Sequence, residues 1–126
     1  MTVAFNHTIV YVRDKHRSAE FLARIFGLPQ PTPMWSFLTV SLDNGVTLDF
    51  MNSDKVVAPQ HYAFLVGEET FDGVLSRIEA AEIPYWADPA MSIPQKINHH
   101  DGGRGVYFHD PDGHFLEAIT RPYGSG

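Results

Sequence analysis

Hydrophobic residues follow the same order of patterns twice along the 126-residue chain. Residues 4–12 (AFNHTIVYV) form a β-rich stretch, and the apolar residues after it recur at helical spacing up to Gly27. Residues 60–66 (QHYAFLV) form a second such stretch, followed by a second helical pattern that stops at Ile83-Pro84. The two helical patterns consist of Phe21, Leu22, Ile25 and Phe26, and of Phe71, Val74, Leu75 and Ile78.

Matching landmarks indicate an internal repeat. His7 precedes Pro29 by almost the same number of residues as His61 precedes Pro84. Later in each half, a turn glycine is followed by a strand pattern with an acid four positions on. These acids are Asp49 and Glu117.

Each half therefore reads as a βαβββ unit, which predicts an α+β fold of two such modules within one domain. We place the modules at about residues 1–57 and 58–126. Asp14 is positioned to cap the first helix. Residues 88–105 (DPAMSIPQKINHHDGGRG) are an insertion in the second module, and their content of Pro, Gly and His predicts a long surface loop.

Alternation along the strands predicts which side chains share a face. Apolar positions on either side of Asp49 can pack under the first helix, which places Asp49 on the opposite face, and the same logic applies to His7 and His61. Glu117 lies between apolar neighbours in FLEAI. A carboxylate buried there needs a cation, a donor or water, because an unpaired buried charge costs several kcal/mol.

Composition narrows the possible classes of function. The chain is 44% hydrophobic with a net charge of −6 and scattered basic residues, which favours one compact domain and argues against nucleic acid and anionic membranes as partners. No apolar run reaches the roughly 18 residues of a membrane helix, and a strand pattern begins too early for a signal peptide, so we expect a cytoplasmic protein. The chain has no cysteine and seven histidines, so any metal must be held by imidazole and carboxylate.

At two stretches the chain resembles the vicinal oxygen chelate superfamily, which includes glyoxalase I, bleomycin-binding proteins and extradiol dioxygenases. These stretches are FNHTIVYVRDKHRSAEFLARIFGLP and GVYFHDPDGHFLEAI, and the resemblance extends over essentially the whole chain. It implies a curved mixed sheet with a metal-binding cleft. It also implies that the first and last strands of each module supply metal ligands.

Carried over residue by residue, the resemblance implies one divalent ion, Zn, Ni, Mn or Fe(II), bound by His7, His61, Glu117 and Asp49. Aspartate stands where glyoxalase I has a longer glutamate, so Asp49 either ligates directly, acts through a water or does not ligate. The alternative for Glu117 is a salt bridge to an arginine such as Arg104 or Arg121.

The resemblance also suggests catalytic groups. Glu117 is a candidate general base. Tyr107 matches a tyrosine that contacts substrate in fosfomycin-type members, although it also fits a packed strand aromatic. His100, or its neighbour His99, either closes over the site as acid or base or is exposed to solvent.

Four other polar residues give weaker indications of function. Arg104 either anchors an anionic substrate or lies in a solvated turn. His109 and His114 flank a turn and are expected to be exposed, and His16 begins the first helix. We assign no function to these three histidines.

Two classes of function follow. The first is a metal-dependent enzyme acting on a small molecule with adjacent oxygens, by glyoxalase-type lyase or isomerase chemistry or by extradiol-dioxygenase-type chemistry. The second is a non-catalytic binder of bleomycin-type antibiotics, which the net charge of −6 suits. The histidines and Glu117 favour the enzyme, and the resemblance further implies a homodimer whose sites draw ligands from both chains.

Overall fold

The computed structural model describes residues 2–126, which form two compact units, one ending at Ala58 and the other running from Pro59 to Gly126. Each unit has the element order βαβββ, which confirms the predicted α+β modules. The first contains β1 (His7–Val12), α1 (Lys15–Phe26), β2 (Thr32–Met34), β3 (Phe37–Ser41) and β4 (Thr47–Asn52). The second contains β5 (His61–Leu65), α2 (Glu68–Ala80), β6 (Tyr85–Trp86), β7 (Gly105–His109) and β8 (Phe115–Ile119).

Each unit has one four-stranded mixed sheet, and the two sheets have equivalent strand orders, β1-β4-β3-β2 and β5-β8-β7-β6. The first strand of each unit pairs in parallel with its last strand. The registers correspond as well, because Ile9 is paired with Asp49 and Ala63 with Glu117. The repeat seen in the sequence is therefore a repeat of backbone pairing.

The two helices begin differently. The Asp14 carboxylate accepts hydrogen bonds from the backbone N–H groups of His16 and Arg17, so it caps α1 as predicted. Gly67 precedes α2 and gives no side-chain cap, but two glutamates in the first turn complement the helix dipole. Among residues 2–126, no helix has the length and apolar character needed to span a bilayer.

Alternation places apolar side chains on one face of each sheet, where they form the core of the unit. In the second unit, the core combines one side of α2 with alternate residues of β7 and β8. Its buried members include Phe71, Val74, Ile78, Val106, Phe108, Leu116 and Ala118. The intervening residues of β7 and β8, among them Tyr107 and Glu117, point to the other face.

The segment 88–105 is largely irregular and exposed up to the start of β7, as predicted. It contains one short 3₁₀ turn, His100–Gly102. Asn98 ties the segment back, since its side-chain amide donates to the Ala87 carbonyl and its backbone pairs with Gly105.

The expectation that His114 is exposed is wrong, since only 1% of the residue is exposed. Its Nδ1 accepts a hydrogen bond from the backbone N–H of Gln60 at 2.9 Å, and the backbone N–H of His114 donates to the Asp110 carboxylate at 2.8 Å. The reason is alternation, because His114 continues the inward series of Leu116 and Ala118. His109 is half-buried, with its ring against those of Trp86 and Phe115, whereas His16 is exposed.

Replacing the cap of α1 tests the account of how the first unit begins. Asp14→Ala removes the acceptor for two N–H groups, so we expect the free energy of unfolding to fall by about 1 kcal/mol. Chemical denaturation followed by circular dichroism measures the change. Asp43→Ala, in the turn before β4, is the control, and an equal loss in both variants would contradict the capping role.

Candidate functional site

The carboxylate of Glu117 lies in the middle of the second sheet, on β8 between β5 and β7, and only 1% of the residue is exposed. His61 Nε2 lies 2.9 Å from Glu117 Oε1. The Tyr123 hydroxyl lies 2.8 Å from Oε1 and 2.7 Å from Oε2. Both carboxylate oxygens therefore have hydrogen-bonding partners, which offsets the cost of burial.

The pairing of strands brings these groups together. Glu117 is paired with Ala63 of β5 and with Tyr107 of β7. His61 is two residues before Ala63 and so lies on the same face. The sheet thus places His61, Tyr107 and Glu117 on one face, although they come from distant parts of the chain.

Tyr107 is buried beside this pair. Its hydroxyl lies 3.5 Å from that of Tyr123, and its ring meets the His61 ring edge-on, with centroids 6.2 Å apart. Burial, together with hydrogen bonding to Tyr123 and Glu117, raises the pKa of Tyr107. The phenol therefore keeps its proton at neutral pH and remains a hydrogen-bond donor.

Tyr123 is a member of the site that sequence reasoning missed. It follows β8 in the segment RPYGSG, where no alternation or helical spacing indicates a direction for the side chain. Its hydrogen bond with Tyr107 favours the ionised form, but burial and Glu117 outweigh it and raise the pKa of Tyr123. The one signal in the sequence was a lone aromatic residue shortly after Glu117, which does not predict a contact.

The His61 and Glu117 pair fits a divalent metal ion. Two ligand atoms at about 2.0–2.2 Å from one ion, at a right angle, lie about 3 Å apart, and the observed separation of Nε2 and Oε1 is 2.9 Å. Imidazole and carboxylate are ligands that Zn, Ni, Mn and Fe(II) accept. Within each unit, across the described residues 2–58 and 59–126, no group of three or more His, Asp or Glu side chains converges to hold an ion.

The equivalent residues of the first unit do not contact each other. His7 is exposed, and its Nδ1 lies 2.6 Å from Asn6 Oδ1. Asp49 is buried, and its Oδ1 accepts hydrogen bonds from the hydroxyls of Thr39 at 3.0 Å and Thr47 at 3.2 Å. The shorter Asp49 side chain is therefore hydrogen-bonded by threonines, whereas the longer Glu117 side chain reaches a histidine.

The alternative that Glu117 pairs with an arginine is wrong. Arg104 donates to Asp72 at 2.8 Å and to Glu68 at 2.9 Å, and its guanidinium stacks over the Phe71 ring at 4.5 Å. Arg121 donates to Ser125 instead. Arg104 thus fastens the start of β7 to α2, and its fork of donors is already engaged.

His99 and His100 are exposed in the loop before β7. The backbone N–H of His100 donates to Asn98 Oδ1 at 3.2 Å. Within residues 2–126, the groups around the Glu117 carboxylate are His61, Tyr123 and Tyr107, so the structure does not bring His100 to that carboxylate.

Known proteins share the sequence pattern and the fold of this chain. Residues 4–118 match the family described as Glyoxalase/Bleomycin resistance protein/Dioxygenase superfamily. The solved structure of Oxidase ChaP-H2 is 55% identical, with a TM-score of 0.97 over 100% of this chain and 99% of that one. Oxidase ChaP-H1 is 54% identical, with a TM-score of 0.96 over 98% and 99% of the two chains.

A curated relative is more distant. Glutathione transferase FosA from Serratia marcescens is 34% identical over 125 residues, which cover 93% of this chain and 80% of that protein. The family match spans both βαβββ units, and it agrees with the resemblance of the two terminal motifs. The chain therefore belongs to the glyoxalase/bleomycin resistance protein/dioxygenase superfamily.

Proposed function

We propose that this protein is a divalent-metal-dependent oxidase that uses dioxygen and acts on a small molecule with two adjacent oxygens. The observation that carries the proposal is the 2.9 Å approach of His61 Nε2 to the buried Glu117 Oε1. The two relatives named as oxidases support this reaction class, since they are 54% and 55% identical, against 34% for the glutathione transferase.

The proposed metal is iron(II), bound by His7, His61 and Glu117. Two histidines and one carboxylate form the facial set of non-haem iron oxygenases, which leaves coordination positions for substrate and dioxygen. His7 enters the set because it begins β1 as His61 begins β5, and the two strands have equivalent pairings. Asp49 as a fourth ligand remains a prediction, although the two threonine hydroxyls on Oδ1 favour an indirect role.

The bound ion would act as a Lewis acid that activates the adjacent oxygens of the substrate and as the redox centre for dioxygen. The protein would supply the metal ligands and a hydrogen-bond donor for the substrate. His61 and Glu117 present a nitrogen and an oxygen lone pair from neighbouring strands. Tyr107, a protonated phenol beside them, would donate a hydrogen bond to a substrate oxygen. Glu117 as general base and His100 as acid or base remain predictions.

A homodimer is part of the proposal. In such an assembly, His7 of one chain would join His61 and Glu117 of the other, so that each dimer holds two sites. The partner molecule is a second copy of this chain, and the substrate is a small molecule.

Oxygen uptake tests the reaction class. With Fe²⁺ and an o-diphenol as the probe with adjacent oxygens, we expect oxygen consumption that falls by about 100-fold or more in His61→Ala and Glu117→Gln, because each loses a ligand. An oxygen electrode measures the rate, and His16→Ala, at an exposed histidine of α1, is the control.

The same preparations distinguish the other classes. Turnover of a hemithioacetal without oxygen would favour lyase or isomerase chemistry, and conjugation of glutathione to an epoxide would favour thiol transfer. Either result, in the absence of oxygen uptake, would contradict the oxidase proposal. Tight binding of a cationic glycopeptide by a chain that retains no metal would favour the non-catalytic binder.

Mixing inactive subunits tests the shared site. His7→Ala and Glu117→Ala chains are each expected to lack a complete ligand set. A mixed dimer regains one, because the Glu117→Ala chain supplies His7 and the His7→Ala chain supplies His61 and Glu117. We expect oxygen uptake to return in part after unfolding and refolding the two variants together.

Refolding each variant alone is the control for the mixture. If the mixture stays inactive while light scattering shows that dimers form, the sites are not shared between chains. If light scattering shows only monomers at every concentration, the homodimer proposal is contradicted directly.

A further inference from the structure

We infer that Tyr123 is a positioning residue that holds the Glu117 carboxylate so that Oε1 faces the metal. This inference rests on the proposed metal site and deepens it. It also gives a structural purpose to the inserted segment 88–105.

The two oxygens of Glu117 are not equivalent. Oε1 is the oxygen that lies 2.9 Å from His61 Nε2, so it is the one that can share an ion with that histidine. Oε2 has the shorter approach to the Tyr123 hydroxyl, at 2.7 Å against 2.8 Å for Oε1, and the hydrogen bond of His61 is made to Oε1. When Oε1 binds an ion, the hydroxyl can remain on Oε2, so the carboxylate would bind through one oxygen.

The segment that carries Tyr123 is anchored on the inserted loop. The N–H groups of Gly124 and Gly126 donate to the two carboxylate oxygens of Asp101, at 3.2 and 3.3 Å. Arg121 also donates to the carbonyl of Ser125 at 3.2 Å, which folds the segment on itself. Asp101 lies in the 3₁₀ turn of the loop, so the loop holds the residues that directly follow Tyr123.

The loop is in turn fastened to the end of β8. The N–H of Arg104 donates to Thr120 Oγ1 at 2.8 Å, and the N–H of Thr120 donates to the Arg104 carbonyl at 3.0 Å. A Cβ atom at Gly103 would lie 2.6 Å from Thr120 Oγ1, so this approach needs glycine. Loop, C-terminal segment and β8 therefore form one connected brace around Glu117.

A long carboxylate needs such a brace because three side-chain torsions separate its oxygens from the backbone. Hydrogen bonds to a ligand carboxylate fix its orientation before the metal arrives, and loss of such a partner costs 10- to 100-fold in metal affinity in general. Tyr123 occupies that place for Glu117. The first unit lacks both the insertion and a tyrosine at Asp49, where Thr39 and Thr47 hold the acid instead.

Metal affinity of the full-length protein tests the inference. The probe is Co²⁺ alone, measured by calorimetry and by its visible absorption, which reports the coordination directly. We expect Tyr123→Phe to bind Co²⁺ about 10- to 100-fold more weakly than the wild type, with an altered visible spectrum. Asp101→Ala, which releases the segment but keeps the phenol, should weaken binding to a smaller degree.

Tyr85→Phe is the matched control. Tyr85 also donates its hydroxyl to a carboxylate in the second unit, Glu79 Oε2 at 2.8 Å, but that pair is away from Glu117. It should bind Co²⁺ as the wild type does. Thermal unfolding without metal shows whether either tyrosine variant is simply less stable.

The possible results separate this inference from the proposed function. If the wild type binds Co²⁺ and Tyr123→Phe binds it equally well, Tyr123 does not position Glu117. Tighter binding by Tyr123→Phe would mean that the hydroxyl competes with the ion, which also overturns the inference. If the wild type binds no Co²⁺, or His61→Ala binds as the wild type does, the metal function fails and the inference with it.

Discussion

The arrangement of the site in the second unit follows from one constraint, which is that the Glu117 carboxylate is buried in the middle of the sheet. An isolated charge in such a place costs several kcal/mol, which is a large part of the 5–15 kcal/mol that stabilises a typical domain. Glu117 is not compensated by an arginine, since Arg104 and Arg121 are engaged elsewhere. A histidine and a tyrosine hydroxyl satisfy it instead, which leaves its negative charge available for a metal ion.

The two units show how one backbone plan carries different chemistry. Strand order and register repeat so closely that Asp49 and Glu117 occupy equivalent positions. The neighbours differ, however, because Thr39 of the first unit stands where the second has Tyr107. Asp49 accepts hydrogen bonds from small hydroxyl side chains, whereas Glu117 contacts an imidazole and two phenols.

Much of this could be predicted from the sequence, because alternation and helical spacing are local. They predicted the βαβββ element order of the two modules, the cap at Asp14 and the shared face of His61 and Glu117. The prediction that His114 is exposed was wrong, because the alternation that buries Leu116 continues back to His114 at the end of the turn. The ion pairs of Arg104 and the contact of Tyr123 depend on how distant segments fold together, and no periodic pattern encodes that.

The central claim is that one metal ion is bound by His7, His61 and Glu117. A crystal structure of the Fe²⁺-loaded protein, with anomalous data collected at the iron edge, tests it most directly. The account predicts an iron peak at each of the two sites of the dimer, bonded to Nε2 of His61 and Oε1 of Glu117 from one chain and to His7 from the other. The Tyr123 hydroxyl is expected to lie on Oε2. An iron peak elsewhere, or none beside the intact His61 and Glu117 pair, would contradict it.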